Sequence, residues 1–245
     1  MSNPELGRLL GLAEQLVPGL RAAQGELAPA GALRLEDAES FEALCRHWAL
    51  AYPEAGPHYL ALRCWGLAIW QPVYLSVIAA HLGSAVPCLG GLAQPVAQGF
   101  PNALLLPPHA PRAAPTLAQR IGLAAEELRA LCQATRAALA ASVSLHARAA
   151  ERLQAECVLG ALLCLQRARP ALADLEALGA QWLAQLGIAG GCGFFAYRAR
   201  DGTAALALDR KVCCHYFRRR DGEYCSTCPK LSRDARIGRL QAEPA

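Results

Sequence analysis

Four of the eleven cysteines of this 245-residue chain lie close together near its end: Cys213 and Cys214 are adjacent, ten residues follow, and Cys225 and Cys228 flank Ser226 and Thr227 just before Pro229. A cysteine thiolate is a soft, anionic ligand, and four of them saturate either one tetrahedral ion or a two-iron cluster. The two-residue gap of the second pair lets one turn of backbone aim both sulfurs at a common point. Amides in such a turn can donate to sulfur, and hydroxyls such as those of Ser226 and Thr227 add to the polarity that tunes a redox centre. The first pair is harder to place. Neighbouring side chains diverge along an extended strand, so Cys213 and Cys214 can share a centre only where the backbone is irregular. Structural zinc sites usually use knuckles with two to four residues inside each pair, and adjacency departs from that spacing. On bonding grounds an iron-sulfur centre is modestly ahead of zinc, and both stay open.

Positive charge gathers around the same segment. From Arg198 to Ala245 there are eleven Lys or Arg against six Asp or Glu, a net +5, which leaves −1 for residues 1–197 out of the overall +4. Arg218, Arg219 and Arg220 sit inside the ten-residue loop, and Lys230, Arg233, Arg236 and Arg239 follow it. A positive collar of this kind can dock an acidic partner or an anionic ligand and raises the potential of an enclosed redox centre. A solvated, solubilising face is the plainer alternative. His215 is surplus as a ligand once four cysteines are present, and His47, His58, His81, His109 and His146 show no ligand spacing. Cys45, Cys64, Cys132, Cys157 and Cys164 fall on apolar helical faces as small core residues, whereas Cys88 and Cys192 fall in loops.

The rest of the chain must position this segment. A hydrophobic fraction of 54% with 18% charged residues excludes a disordered protein. The length suits one compact body with a small appendage. Glu5, Arg8, Glu14 and Gln15 interrupt the apolar pattern at the start, so no export signal is expected there and a reducing cytoplasm is the expected location. In that compartment clustered cysteines point to metal or redox chemistry rather than to disulfides. No charged residue occurs between Arg63 and Arg112, and the run from Cys64 to Ala80 is strongly apolar. A membrane helix needs about 20 apolar residues. Gln71 and Pro72 interrupt the run and His81 and Gly83 close it, so a buried core helix is expected instead.

Local periodicity predicts one helix or two over residues 4–24, with a break at Pro18 and Gly19, and a better helix from Asp37 to Tyr52 with its stripe at Phe41, Leu44, Cys45, Trp48 and Tyr52. After a turn at Pro53–Pro57 comes the buried helix Tyr59–Leu82, kinked or interrupted at Pro72. Seven prolines and four glycines between Gly83 and Pro115 imply short strands and loops. Helices return from Thr116 to Gln166, with breaks at Gly122 and at Ser142–Ser144, until Pro170; another spans Ala171–Leu186 and ends at Gly187. After a glycine-rich turn at Gly190–Gly193, Phe194–Arg198 and Thr203–Leu208 flank Asp201-Gly202, a hairpin signal whose second strand runs into the cysteines. Trp48, Trp65, Trp70 and Tyr74 are either core or the lining of a wide apolar cavity. The expected fold is α+β, predominantly helical, with a short-strand region in the middle and a β-hairpin leading into the C-terminal iron-sulfur segment. Residues 1–197 form the body and 198–245 the hairpin end and cluster segment.

The run Arg210-Lys-Val-Cys-Cys-His-Tyr-Phe, followed by Gly222, Cys225-Ser-Thr-Cys228 and Pro229, resembles the C-terminal signature of the FhuF-like siderophore ferric-iron reductase family. The resemblance is strong over about 20 residues only. It implies that Cys213, Cys214, Cys225 and Cys228 ligate a [2Fe-2S] cluster. It also implies an oxidoreductase that passes one electron to ferric iron in a siderophore, hydroxamate type foremost, releasing iron(II) in the cytoplasm. An acidic electron donor such as a ferredoxin or flavoprotein reductase, with Arg218, Arg219 and Arg220 as docking or substrate contacts, completes the expectation, and peripheral membrane association is compatible with it. Two other readings stand beside it: a zinc-stabilised binding module, and an iron-sulfur sensor without turnover. A nucleic-acid partner is not expected, because few aromatics other than Tyr216, Phe217 and Tyr224 interleave with the basic residues.

Overall fold

The computed structural model describes residues 2–25, 29–169, 174–189 and 191–243. Its first helix, α1 (Pro4–Leu16), is capped by the Asn3 side chain, which accepts the Leu6 N–H at 3.0 Å, and has proline at its first position. Residues 22–24 are not helical as local periodicity suggests. They form strand β1 (Ala22–Gln24), followed by β2 (Leu33–Arg34). Gly19 turns the chain at φ 82°, and β1 then pairs in parallel with residues 104–106, a partner that no local pattern can reveal. Helix α2 (Ala38–Ala51) starts where Asp37 accepts the Glu39 N–H and buries Phe41, Leu44, Cys45 and Trp48.

The centre of the molecule is α3 (Gly56–Leu82), entered through a 3-10 turn at Pro53–Ala55 and apolar on every side. Helices α1 and α2 pack around it, as do α4 (Leu117–Leu139) and α5 (Ala147–Ala168) further along the chain. Among the described residues it is the one helix long and apolar enough to cross a membrane, yet 72% of its most apolar window is buried inside the protein. It also continues without interruption through Pro72, where a kink or a break was expected. Proline within a helix costs about 3 kcal/mol, and packing on all faces offsets that. Gln71, fully buried beside it, is satisfied across the fold: its carbonyl accepts Gln94 Nε2 at 2.8 Å and its amide reaches the Pro101 carbonyl at 3.4 Å.

Those two contacts tie α3 to the expected short-strand region, made of β3 (Ala85–Val86), β4 (Ala93–Gln94), β5 (Val96–Ala97), β6 (Phe100–Pro101), β7 (Leu104–Leu106) and β8 (Arg112–Ala113). The largest sheet has the order β1-β7-β4-β2. Helix α4 (Leu117–Leu139) opens with a reciprocal capping box between Thr116 and Gln119, and it passes Gly122 without the predicted break. One glycine costs a helix about 1 kcal/mol, too little to stop 23 residues with a sound start. Helix α5 (Ala147–Ala168) lies along α3. Helix α6 (Leu175–Leu186) begins at the Asp174 cap and ends at Gly187 in the left-handed conformation, φ 70°. The expected stop at Pro170, the helix start at Ala171 and Gly190 of the glycine-rich turn lie outside the described residues.

Burial of one titratable side chain, His81, is expected to make this body acid-sensitive. The indole N–H of Trp182 on α6 donates to His81 Nε2 at 3.1 Å, and burial holds His81 down to about 4 from the ordinary 6.5. Between those values the unfolded chain binds a proton that the folded chain rejects, so stability falls as pH drops from 6.5 to 4. The loss is on the order of 2–3 kcal/mol. Denaturant titrations across that range are expected to give a shallower slope for His81→Gln, which keeps an acceptor for the indole; an unchanged slope would assign the sensitivity elsewhere.

The hairpin forms as predicted from Asp201-Gly202: β9 (Gly193–Arg198) pairs antiparallel with β10 (Ala204–Asp209), Ala204 opposite Arg198 and Asp209 opposite Gly193. It packs on α5, so β10 delivers the chain to the cysteine segment at a fixed place on the body. A last helix, α7 (Arg233–Ala242), was not expected. Ser232 caps it by accepting the Ala235 N–H at 3.2 Å and Asp234 lies in its first turn, whereas its polarity gives no apolar stripe.

Candidate metal centre

The cysteine segment leaves β10 without regular structure. His215 takes the left-handed conformation at φ 58° and ψ 15°, and a 3-10 turn over Tyr216–Arg218 follows. This is the local irregularity that adjacent cysteines require to serve one centre. It also turns the backbone N–H groups of His215 and Tyr216 towards the sulfurs of Cys213 and Cys214 respectively. The second pair closes through a turn in which the Cys228 N–H donates to the Cys225 carbonyl at 3.0 Å.

The four sulfurs stand as two pairs. Cys213 Sγ lies 4.0 Å from Cys228 Sγ, and Cys214 and Cys225 face each other as the second pair. Two thiolates on one tetrahedral metal, with bonds of about 2.3 Å, sit about 3.8 Å apart, so the measured pair already has the spacing of co-ligands. Among the described residues no three His, Cys, Asp or Glu side chains close on a single point as one ion requires. Two pairs are what a two-iron cluster takes, one pair to each iron; a mononuclear zinc site needs all four around one atom. The Cys225 thiol, with Arg210 and the Tyr216 amide, brings Cys214 down to about 5, while Cys225 is pushed up in turn. Cys228 is buried and the other three are partly exposed.

One buried carboxylate organises the segment. Glu156, 4% exposed on α5, accepts Arg210 Nε at 2.7 Å on one oxygen and the Lys211 and Val212 N–H groups at 3.1 and 3.2 Å on the other. Arg210 extends from it to donate through Nη1 to Cys225 Sγ at 3.1 Å. Burial raises Glu156 above the usual carboxylate range, opposed by Arg210 and the two amides. Burial also disfavours the Arg210 charge, but Glu156, Cys225 and Cys214 outweigh it and the guanidinium is held more firmly protonated than usual. A cation donating to a ligand sulfur stabilises the thiolate and raises the potential of a cluster there. Cys192 joins the network, its thiol 3.7 Å from Glu156 and 3.3 Å from the Arg152 carbonyl, and burial lifts it to about 12. Sequence reasoning missed Glu156. The signal was an acidic residue among the inward positions of α5, between Leu153 and Leu159.

The three arginines of the ten-residue loop are placed differently from one another. Arg219, with 9% of its side chain exposed, stacks on Tyr52 at 3.7 Å and Tyr216 at 4.4 Å, pairs with Asp221 at 2.7 Å and donates to the Tyr52 hydroxyl. The Arg220 N–H donates to Glu54 at 2.9 Å and its guanidinium to the Ala51 carbonyl at 2.7 Å. Both fasten the loop to the corner between α2 and α3, while Arg218 stays exposed. Gly222 completes the closure: a Cβ there would meet the Tyr216 carbonyl oxygen at 2.0 Å. His215 stacks between His58 and Phe217 with its Nδ1 buried. Trp48 and Trp65 are core, whereas Trp70 and Tyr74 line a cleft of about 850 Å³ that reaches Cys225.

Residues 210–230 match the family model described as the FhuF 2Fe-2S C-terminal domain. No solved structure matches the chain. The matched residues run from Arg210 through all four cysteines to Lys230, which supports a FhuF-like protein and makes a [2Fe-2S] cluster the cofactor of this segment.

Proposed function

We propose that the chain is a siderophore-iron reductase that passes one electron to ferric iron in a siderophore complex and releases iron(II) in the cytoplasm. The observation that carries the reading is the pairing of four sulfurs within a segment that matches a [2Fe-2S] domain. A cluster held by Cys213, Cys214, Cys225 and Cys228 supplies one electron at a time.

The chain's own residues do the rest. Glu156 pins the start of the segment to α5, Arg219 and Arg220 pin its loop to the α2–α3 corner, and Arg210 places a fixed positive charge against the Cys225 sulfur. Such fixed contacts limit the rearrangement that accompanies a change of charge. The chelated iron(III) gains one electron and becomes iron(II), which hard oxygen donors bind far less tightly, so the metal is released. An acidic one-electron donor protein resupplies the electron. Exposed Arg218 and Lys230 give such a donor a cationic face.

The test is a single turnover. Protein reduced without oxygen, mixed with a ferric trihydroxamate and an iron(II)-specific chromophoric chelator, is expected to reoxidise while releasing one iron(II) per cluster. Reduced protein that keeps its electron in the presence of the chelate would remove the reductase reading and leave an iron-sulfur sensor in its place.

A further inference from the structure

We infer that the cleft between α3, α5 and β10 is the binding site for the ferric chelate. The inference rests on the reductase reading for its ligand class and on the cleft itself for its location. At about 850 Å³ the cleft falls near the top of the range of about 300–1,000 Å³ usual for small-molecule sites. One end is formed by Cys225, Ser226 and Thr227, so a bound chelate lies against a ligand of the redox centre. Electron transfer weakens steeply with distance, and Cys213 lines a smaller cavity of about 200 Å³.

The walls are apolar and aromatic, with Trp70 and Tyr74 of α3 facing Leu206 and Leu208 of β10. Gly160 keeps the floor open: a Cβ there would come within 2.9 Å of the Tyr74 hydroxyl. Four charged residues line the cleft, Arg167, Arg210, Glu156 and Glu243, two of each sign. Arg210 and Glu156 neutralise each other at 2.7 Å, and Glu243 is bonded to Ser226.

Gallium(III) complexes separate this claim from turnover, because gallium(III) has the charge and coordination preference of iron(III) without its redox chemistry. Calorimetry on the cluster-loaded protein is expected to show binding of a gallium trihydroxamate at one site per chain. Leu163→Trp and Leu206→Trp, two independent ways of filling the cleft, should each weaken trihydroxamate binding at least tenfold with cluster absorbance intact, while Arg46→Glu on α2 should bind as the parent does. Trp70 is the one partly exposed tryptophan, since Trp48, Trp65 and Trp182 are at most 3% exposed. Its emission should therefore change on binding, and Trp70→Phe should bind without that change. Unaltered binding in both filled variants, or no change in Trp70 emission at saturation, overturns the assignment of the cleft. A protein that binds the gallium trihydroxamate as described yet fails the single-turnover test loses the reductase reading and keeps the site.

Discussion

Cys225→Ser is expected to leave a folded, helical, colourless protein with at least about 100-fold less ferric reduction. Serine keeps the shape of cysteine but offers a hard, rarely ionised oxygen in place of a soft thiolate. The loss is large because Cys225 stands at three junctions. It pairs with Cys214, receives the Arg210 N–H at 3.1 Å, and lines the cleft on the substrate side. The helices survive because Cys225 is not part of the hydrophobic core, which consists of α1 to α6 and the short strands. Far-ultraviolet dichroism, visible absorption and the iron(II)-release assay check the three parts of the expectation. A colourless variant that had also lost its helical signal would mean that the cluster segment holds the body together, contrary to the packing described here.

The second large effect is expected at Glu156. Glu156→Gln keeps the volume but removes the charge that balances Arg210, and it leaves a buried guanidinium without its partner. Removing one member of a buried ion pair costs roughly 3–5 kcal/mol. Two backbone N–H groups, those of Lys211 and Val212, also depend on the same carboxylate oxygen. The variant should melt at a lower temperature, lose its cluster on standing at least about tenfold faster than the parent, and show a shifted reduction potential as Arg210 moves relative to the Cys225 sulfur. Arg210→Lys separates charge from geometry: it retains the positive charge but cannot bridge the carboxylate and the sulfur with one planar group. A parent-like potential and cluster lifetime in Glu156→Gln would show that the buried pair does not position the cysteine segment.

These two sites mark how far the sequence could be read. The cysteine quartet was legible because its chemistry is written in residue types at short spacing, and the adjacent pair even required the irregular backbone that His215 supplies. The hairpin was legible from Asp201-Gly202, and α2 from its stripe and its Asp37 cap. Glu156 was not, because its partners lie 54 to 56 residues away and the one local signal, an acid among the inward positions of α5, names none of them. The same reason hid β1, whose partner strand is about eighty residues further on. Pro72 and Gly122 misled in the opposite direction: each is a genuine local cost, and in each case tertiary packing or a strong cap outweighed it. The run of arginines at 218–220 read as one collar. Only the fold shows that Arg219 and Arg220 are fasteners aimed at Tyr52, Glu54 and Ala51, leaving Arg218 exposed.

Everything mechanistic depends on what the two sulfur pairs hold. The direct measurement is quantitation of iron, acid-labile sulfide and zinc, together with the visible and electron paramagnetic resonance spectra, on protein isolated without oxygen. The pairing of Cys213 with Cys228 and of Cys214 with Cys225 predicts about two irons and two sulfides per chain and a paramagnetic signal that appears on one-electron reduction. One zinc per chain with no labile sulfide, in a colourless protein, would contradict it.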